Sequence, residues 1–147
     1  MAFAGSPERS CLGDESPVLE IRHRRRLVLV FYKLQKNLAR AGCDYWDEVD
    51  IVRWPCAEAF FEAHAADELH LFTGQACRGF GDVAYGEGSF LVFGRESRGL
   101  PLGLIEAHAN RCVRIPMREG LRSLNLSNAV AVAAYEALRQ QGWPGLG

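Results

Sequence analysis

The chain has 147 residues, which is long enough for one domain around a single buried core. With 48% hydrophobic and 24% charged residues it has the composition of an ordinary globular protein, and its formal net charge of -1 excludes a general attraction to nucleic acid, so any RNA binding needs a local basic patch. No apolar run approaches the roughly 20 residues of a membrane span, and the first residues lack the pattern of a secretory signal, so we expect a cytoplasmic protein without a membrane partner.

Residues 1–26 are dominated by Gly, Ser, Pro and charged residues and end in the basic run EIRHRRR. This composition predicts a segment that adds nothing to the core and is poorly ordered or foreign to the domain that follows. The basic run is typical of a solvated segment, and an RNA-facing arm is the sharper alternative. We therefore leave residues 1–26 unassigned and place one domain at residues 27–147.

Apolar runs and helical patterns alternate through the rest of the chain. Short β-branched or apolar runs predict strands at Leu27–Phe31, Asp50–Val52, Leu69–Phe72 and Ser89–Gly94, and a last strand in CVRIPM, residues 112–117, which Pro116 stops. Apolar residues at helical spacing predict helices at Pro55–Ala66, after Pro101, and from Asn125 or Leu126 to about Gln141. Gly142 favours a left-handed cap after the last helix, and Pro144 prevents its continuation.

Strands that alternate with helices predict an α/β domain, with a mostly parallel sheet and helices on both faces. Ligands of such sheets bind beyond the carboxyl ends of the strands. The loops that follow Phe72, Phe93 and Ile115 are therefore the candidates for a functional site.

Two other patterns do not indicate a site. The five cysteines, at positions 11, 43, 56, 77 and 112, lack metal-ligand spacing, so we expect free thiols in a reducing cytoplasm and no metal. The stretch GFGDVA, residues 79–84, matches a dinucleotide-binding pattern, but it leads through further glycines into a strand. That pattern binds a pyrophosphate only where it opens a helix, so we interpret this stretch as a surface loop.

Two polar loops carry the residue types of a ligand site. In FGRESRGLP, Gly94 ends a strand and allows another backbone or a ligand to approach closely, and Glu96 follows it. In LRSLNLSNAV, Asn125 or Ser127 suits the helix cap, which leaves Ser123 without a local task. Both loops also fit a purely structural interpretation, with polar side chains that satisfy turn and loop backbone.

The segments LVFGRESRGLP and RIPM…RSLNLSNAVAVAAYEALRQ, about twenty residues apart, closely resemble the SPOUT-class RNA 2′-O-methyltransferases. Within that class the chain looks most like the tRNA (cytidine/uridine-34-2′-O)-methyltransferases, and NLARAGCDYW is similar to a further segment of that family. The resemblance spans roughly residues 27–147. It implies a C-terminal deep trefoil knot, S-adenosylmethionine as methyl donor without a metal, tRNA as substrate and a homodimer.

The resemblance also assigns site residues. By alignment with the family, the cofactor-binding positions are Phe72, Gly94, Ile115 and Ser123. Further candidates for cofactor contact are Glu96, Leu124 and Asn125. Along the last helix, Tyr135 and Arg139 are candidates for the dimer contact.

The chain departs from the family pattern in three places. Phe72 replaces a usual Leu, and Arg95 stands where the family often has Pro. The family's first strand and its PxNTGNxxR segment, which carries the usual catalytic Arg, have no counterpart before residue 37. We therefore expect an altered or absent first strand and assign no catalytic residue.

Two explanations of the lost N-terminal motif remain open. The chain is a divergent member of the family, or residues 1–36 come from a shifted reading frame. The second predicts that another frame of the upstream DNA encodes an Asn-Thr-Gly-Asn-like segment. The leading functional hypothesis is 2′-O-methylation of tRNA ribose at wobble position 34, and the alternative is an inactive knotted module that binds S-adenosylmethionine or RNA, or only dimerises.

Overall fold

The computed structural model describes residues 16–23, 27–32, 49–121 and 124–147. Its strands are β1 (Val18–His23), β2 (Leu27–Tyr32), β3 (Asp50–Trp54), β4 (Leu69–Phe72), β5 (Ser89–Phe93) and β6 (Cys112–Val113). Its α-helices are α1 (Ala57–Ala63), α2 (Leu102–Ala107) and α3 (Leu126–Gln140). Among the described residues, no helix is long and apolar enough to cross a membrane.

The six strands form one sheet in the order β3-β1-β2-β5-β4-β6. The adjacent strands β2, β5, β4 and β6 run parallel to one another, while β1 runs antiparallel to both of its neighbours, β3 and β2. Parallel strands present their carboxyl ends at one edge of a sheet, so the segments after β4, β5 and β6 meet there. The predicted α/β class with a mostly parallel sheet is confirmed.

Both faces of the sheet are buried, which explains the continuous apolar runs of its central strands. On one face, Val30 and Val92 pack with α1 and α2 through Phe60 and its neighbours. On the other face, residues of the same strands pack against α3, where Ala133 is fully buried. Because successive side chains of a strand alternate between faces, β2 and β5 serve both cores, and the predicted helices on both faces are confirmed.

The prediction that residues 1–26 add nothing to the core is wrong for β1. Val18 and Leu19 are buried, one in each core. Glu20, the next residue of the strand, is buried completely, and such a charged residue gives a poor strand signal in sequence. A strand therefore lies in the segment that the sequence placed outside the core, whereas the domain boundary at residue 27 and the altered or absent family strand stay predictions.

Glu20 is buried within a polar network on the face of α1. Its carboxylate accepts hydrogen bonds from the indole of Trp54 at 2.8 Å and from the guanidinium of Arg22, and it contacts Nε2 of His64 at 3.2 Å. His64 also contacts Asp67, over 2.7 Å from Nδ1 to the carboxylate. This network joins β1 to β3 and to the end of α1, so it anchors the antiparallel part of the sheet.

The cysteines only partly behave as free thiols. Cys77 and Cys112 are free, as predicted, but Cys56 is disulfide-bonded, so the prediction is wrong there. Sequence spacing does not show which cysteines a fold brings within bonding distance. Cys11 and Cys43 lie outside the described residues.

Candidate functional site

A cavity of about 580 Å³ opens at the carboxyl ends of β4, β5 and β6. Its walls come from the segments that follow these three strands and from the start of α3. The described lining residues are Phe72, Thr73, Gly74, Gln75, Phe93, Gly94, Arg95, Glu96, Ser97, Arg98, Gly99, Leu100, Arg114, Ile115, Met117, Leu121, Leu124, Leu126 and Ala129. The cavity lies at the edge of the sheet that the sequence indicated, and the three loops that the sequence indicated form its walls.

The loop after β5 is closed by its own backbone. The N–H of Arg95 donates to the carbonyl of Gly99 at 3.0 Å, and the N–H of Gly99 donates back to Arg95 at 2.8 Å. Gly99 has a φ of +67°, which favours glycine, and Gly94 packs directly under the returning chain. The close approach predicted at Gly94 therefore involves backbone, and it directs residues 96–98 towards the cavity.

The chain after β6 is held in an extended conformation. The N–H of Thr73 donates to the carbonyl of Val113, and the N–H of Arg114 donates to the carbonyl of Arg78, both at 2.9 Å. The N–H of Phe80 donates to the carbonyl of Arg114, also at 2.9 Å. The strand predicted from Cys112 up to Pro116 is therefore shorter than expected, because after Val113 its hydrogen bonds pass from β4 to residues 78–80.

The glycine-rich stretch at residues 79–84 serves this anchoring. It contains a short 3-10 helix, Phe80–Asp82, and continues through extended backbone at Val83. The described residues from 83 to the end of β5 contain no α-helix that could bind a pyrophosphate, which agrees with the interpretation as a loop. The hydroxyl of Tyr85 closes the stretch by donating to the carbonyl of Phe80 at 2.6 Å.

Five of the seven predicted cofactor residues meet in the cavity, namely Phe72, Gly94, Glu96, Ile115 and Leu124. Asn125 instead caps α3, because its side chain accepts hydrogen bonds from the N–H of Ser127 at 2.9 Å and from its hydroxyl at 2.6 Å. Ser123 lies outside the described residues. The loop after β5 and the segment before α3, which the sequence only predicted to lie at the same edge of the sheet, therefore line one cavity.

Phe72, which replaces a usual Leu, is packed into the core below the cavity. Its ring stacks on Phe93 with centroids 4.9 Å apart, and Phe93 stacks on Phe31 at 5.9 Å. Only 9% of Phe72 is exposed. The larger side chain is thus accommodated mainly by aromatic packing on the α3 side of the sheet.

Sequence reasoning missed several residues of the lining. Thr73, Gly74 and Gln75 follow β4 directly, and Arg95 and Arg114 follow the other two strands. The rule that ligands bind at strand carboxyl ends would have found all five, since each is within three residues of a strand end. The side chains of Thr73, Gln75, Arg95 and Arg114 add polar and cationic groups to the cavity.

The combination suits an amphipathic organic ligand. Phe72, Ile115 and Leu124 offer apolar surface, while the glycine-rich backbone and the polar residues after β4 offer hydrogen bonds. The volume is typical of small-molecule sites. Among the described residues, no group of three or more His, Cys, Asp and Glu side chains could hold a metal ion.

Comparisons with known proteins agree with this arrangement. Residues 24–135 match the SpoU rRNA Methylase family. The tRNA (cytidine(34)-2'-O)-methyltransferase of Escherichia coli K12 is 43% identical over 111 residues, which cover 75% of this chain and 71% of that protein. A Listeria innocua protein, provisionally assigned the same activity, is 41% identical over 148 residues, 99% of this chain and 85% of that protein.

Solved structures give the same picture. One, which concerns the 2-OH methylation of C/U34 on tRNA, superimposes with a TM-score of 0.64 at 41% identity, over 74% of this chain and 72% of that one. An AdoMet-bound rRNA methyltransferase from Sinorhizobium meliloti gives a TM-score of 0.53 at 25% identity, over 60% of this chain and 34% of that one. The chain therefore belongs to the SpoU rRNA methylase family of methyltransferases.

Proposed function

We propose that the protein transfers a methyl group from S-adenosylmethionine to the 2′-hydroxyl of a tRNA ribose, at wobble position 34. The observation that carries the proposal is the cavity itself, in which the segments after three parallel strands meet the start of α3. The named activity of the Escherichia coli relative supports the tRNA substrate, and the AdoMet-bound relative supports the donor.

The residues present fit this donor. Ile115 and Leu124 form an apolar wall for an adenine ring, and Thr73 and Gln75 offer polar groups for ribose or the amino-acid end. Gly94 and Gly99 keep side chains out of the space that the closed loop borders. When bound, S-adenosylmethionine supplies an electrophilic methyl group on a sulfonium centre.

The protein's own contribution to the reaction is chiefly positioning. The loop after β5 and the extended segment after β6 have backbones fixed by hydrogen bonds, so they define where donor and ribose meet. In the transfer, the 2′-oxygen gains the methyl group, the sulfonium carbon–sulfur bond breaks and the hydroxyl proton leaves to a base. We assign this base to no residue of the chain.

The proposal includes the family's chain topology and assembly. We propose that the segment from β6 to α3 is tucked into a deep trefoil knot. A knot places three strand-end loops around one ligand, which accords with the lining of the cavity. We also propose that two copies of the chain form a homodimer through α3.

Two measurements test the proposed function. Isothermal titration calorimetry with S-adenosylmethionine should show one site per chain, and the protein should incorporate labelled methyl groups into unmodified tRNA at ribose 34. Binding without incorporation would identify an inactive module. Absence of donor binding would overturn the assignment of the cavity.

A further inference from the structure

Three arginines line the mouth of the cavity. Arg95 follows β5, Arg98 lies in the same closed loop, and Arg114 follows β6. Arg95 is half-buried, whereas Arg98 and Arg114 are exposed. The described lining contains a single carboxylate, that of Glu96, so this rim is cationic on a chain whose formal net charge is -1.

The guanidinium groups of this rim have no protein partner within the described part of the chain. Other arginines do: Arg139 pairs with Glu136, and Arg111 donates to the carbonyl of Ala65 at 2.8 Å. Arginines that line a cavity and pair with no protein anion among the described residues are available to an anion from outside. Their planar donor groups match the oxygens of a phosphate.

Two of the three arginines have a backbone that is held in place by hydrogen bonds. Both backbone groups of Arg95 are bonded to Gly99, and both backbone groups of Arg114 are bonded to residues 78–80. The Cα positions of these two residues are therefore set before any ligand arrives. Preorganised cations lose less conformational freedom on binding than cations on a loose loop.

We infer that Arg95, Arg98 and Arg114 form a phosphate-binding rim that holds the RNA backbone beside the target ribose. This inference rests on the proposed function and specifies which residues grip the substrate. The sequence required a local basic patch for any RNA contact, and the rim is such a patch at the mouth of the donor cavity. Arg95 stands where the family often has Pro, so this contact distinguishes the chain from relatives with Pro there.

The test measures tRNA affinity as a function of KCl concentration. Each phosphate contact contributes about 0.7–0.9 to the slope of log affinity against log salt. Arg95→Gln and Arg114→Gln should each weaken binding and lower the slope by about that amount, while Arg95→Lys retains the slope. S-adenosylmethionine affinity, measured by calorimetry, should fall less than tRNA affinity in the two glutamine variants, because a phosphate contact is lost only with tRNA.

The matched control is Arg53→Gln. Arg53 is an exposed arginine on β3, at the opposite edge of the sheet from β6. It should leave affinity and salt slope unchanged. Equal losses in Arg53→Gln and Arg95→Gln, or an unchanged slope in Arg95→Gln and Arg114→Gln, would overturn the rim. If the parent methylates tRNA and the rim variants bind tRNA as tightly as the parent, only the phosphate-binding rim is refuted. If the parent binds neither S-adenosylmethionine nor tRNA, the proposed function is refuted as well.

Discussion

Gly94 lies where two backbone segments meet without space for a side chain. A Cβ placed on it would lie 2.0 Å from the carbonyl carbon of Gly99 and 2.2 Å from the nitrogen of Leu100. Gly94→Ala should therefore displace the loop that borders the cavity, lower stability by about 1–3 kcal/mol and weaken S-adenosylmethionine binding. Urea unfolding and calorimetry measure the two effects.

Gly103→Ala is the matched control for this substitution. Gly103 lies in α2, and nothing lies within 4 Å of a Cβ placed there. Alanine in place of an exposed helical glycine stabilises by about 0.5–1 kcal/mol, so this variant should gain stability and bind the donor normally. If Gly94→Ala behaved like Gly103→Ala, the proposed role of the close backbone contact would be wrong.

The network around Glu20 makes stability depend on pH. Burial alone would raise the pKa of Glu20, but its hydrogen bonds with His64, Arg22 and Trp54 outweigh burial and hold that pKa below the ordinary value of 4.5. Burial likewise would lower the pKa of His64, but hydrogen bonds with Glu20 and Asp67 hold it above the ordinary 6.5.

The two shifts act on opposite sides of the pH scale. The contribution of Glu20 is present above pH 4.5 and is lost as pH falls through its lowered pKa. The contribution of His64 is present below pH 6.5 and is lost as pH rises through its raised pKa. Urea unfolding from pH 3 to 9 should therefore show stability falling on both flanks, and Glu20→Gln should flatten both. Parallel curves for parent and variant would contradict this account.

At the scale of elements, the end of α3 is fastened to the loop before β5 by the side chains of Gln140 and Gln141. The amide of Gln140 accepts from the N–H of Tyr85 and donates to the carbonyl of Val83, each over 3.0 Å. It therefore pairs with this loop as a neighbouring strand would. Gln140→Met keeps the volume but leaves part-buried backbone groups unpaired, and we expect a loss of about 1–3 kcal/mol.

The neighbouring Arg139 provides a comparison for Gln140. Its exposed guanidinium hydrogen-bonds to Glu136, three residues earlier on α3, and to no other side chain among the described residues. Such surface pairs contribute little to stability. Arg139→Met should therefore leave the midpoint of urea unfolding unchanged, and an equal loss in both variants would show that the Gln140 contacts are not special.

The elements that the sequence predicted share one property, namely a local pattern that is sufficient to form them. β4 and β5 are continuous apolar runs, and α3 has both a cap at Asn125 and a stop at Gly142, whose φ is +77°. By contrast, β1 depends on hydrogen bonds between Glu20 and distant partners, and the end of β6 depends on residues 78–80, in a loop much earlier in the chain. Such long-range partners leave no periodic signal in sequence.

The candidate site was predictable to the same extent. The strand-end rule placed the loops after Phe72, Phe93 and Ile115 together, and the structure brings them around one cavity. The sequence did not show which side chains of each loop face the cavity, because their positions depend on the backbone hydrogen bonds of Arg95 and Arg114. The sequence therefore predicted the position of the cavity, whereas its cationic rim emerged only from the fold.

At the scale of the whole molecule, α3 has a face that the sheet leaves exposed. Ala133 and Ala137 are buried against the sheet, whereas Val132 is 40% and Tyr135 63% exposed. The ring of Tyr135 contacts Trp143 beyond the end of the helix, with centroids 5.7 Å apart. Since α3 also begins beside the cavity, a partner copy on this face would be connected to the site through one rigid helix.

The proposed homodimer predicts that this face is covered in solution. Sedimentation equilibrium should find the parent as a dimer, and Tyr135→Glu should raise the dissociation constant roughly tenfold or more, equivalent to about 1.4 kcal/mol. Leu102→Glu is the control, because Leu102 is 57% exposed on α2, on the other face of the sheet. It introduces the same charge and should leave the dimer intact. A monomeric parent, or equal dissociation in both variants, would show that α3 is not the interface. If Tyr135→Glu alone dissociates the dimer and also abolishes methyl transfer, the site is active only when two copies of α3 pack together.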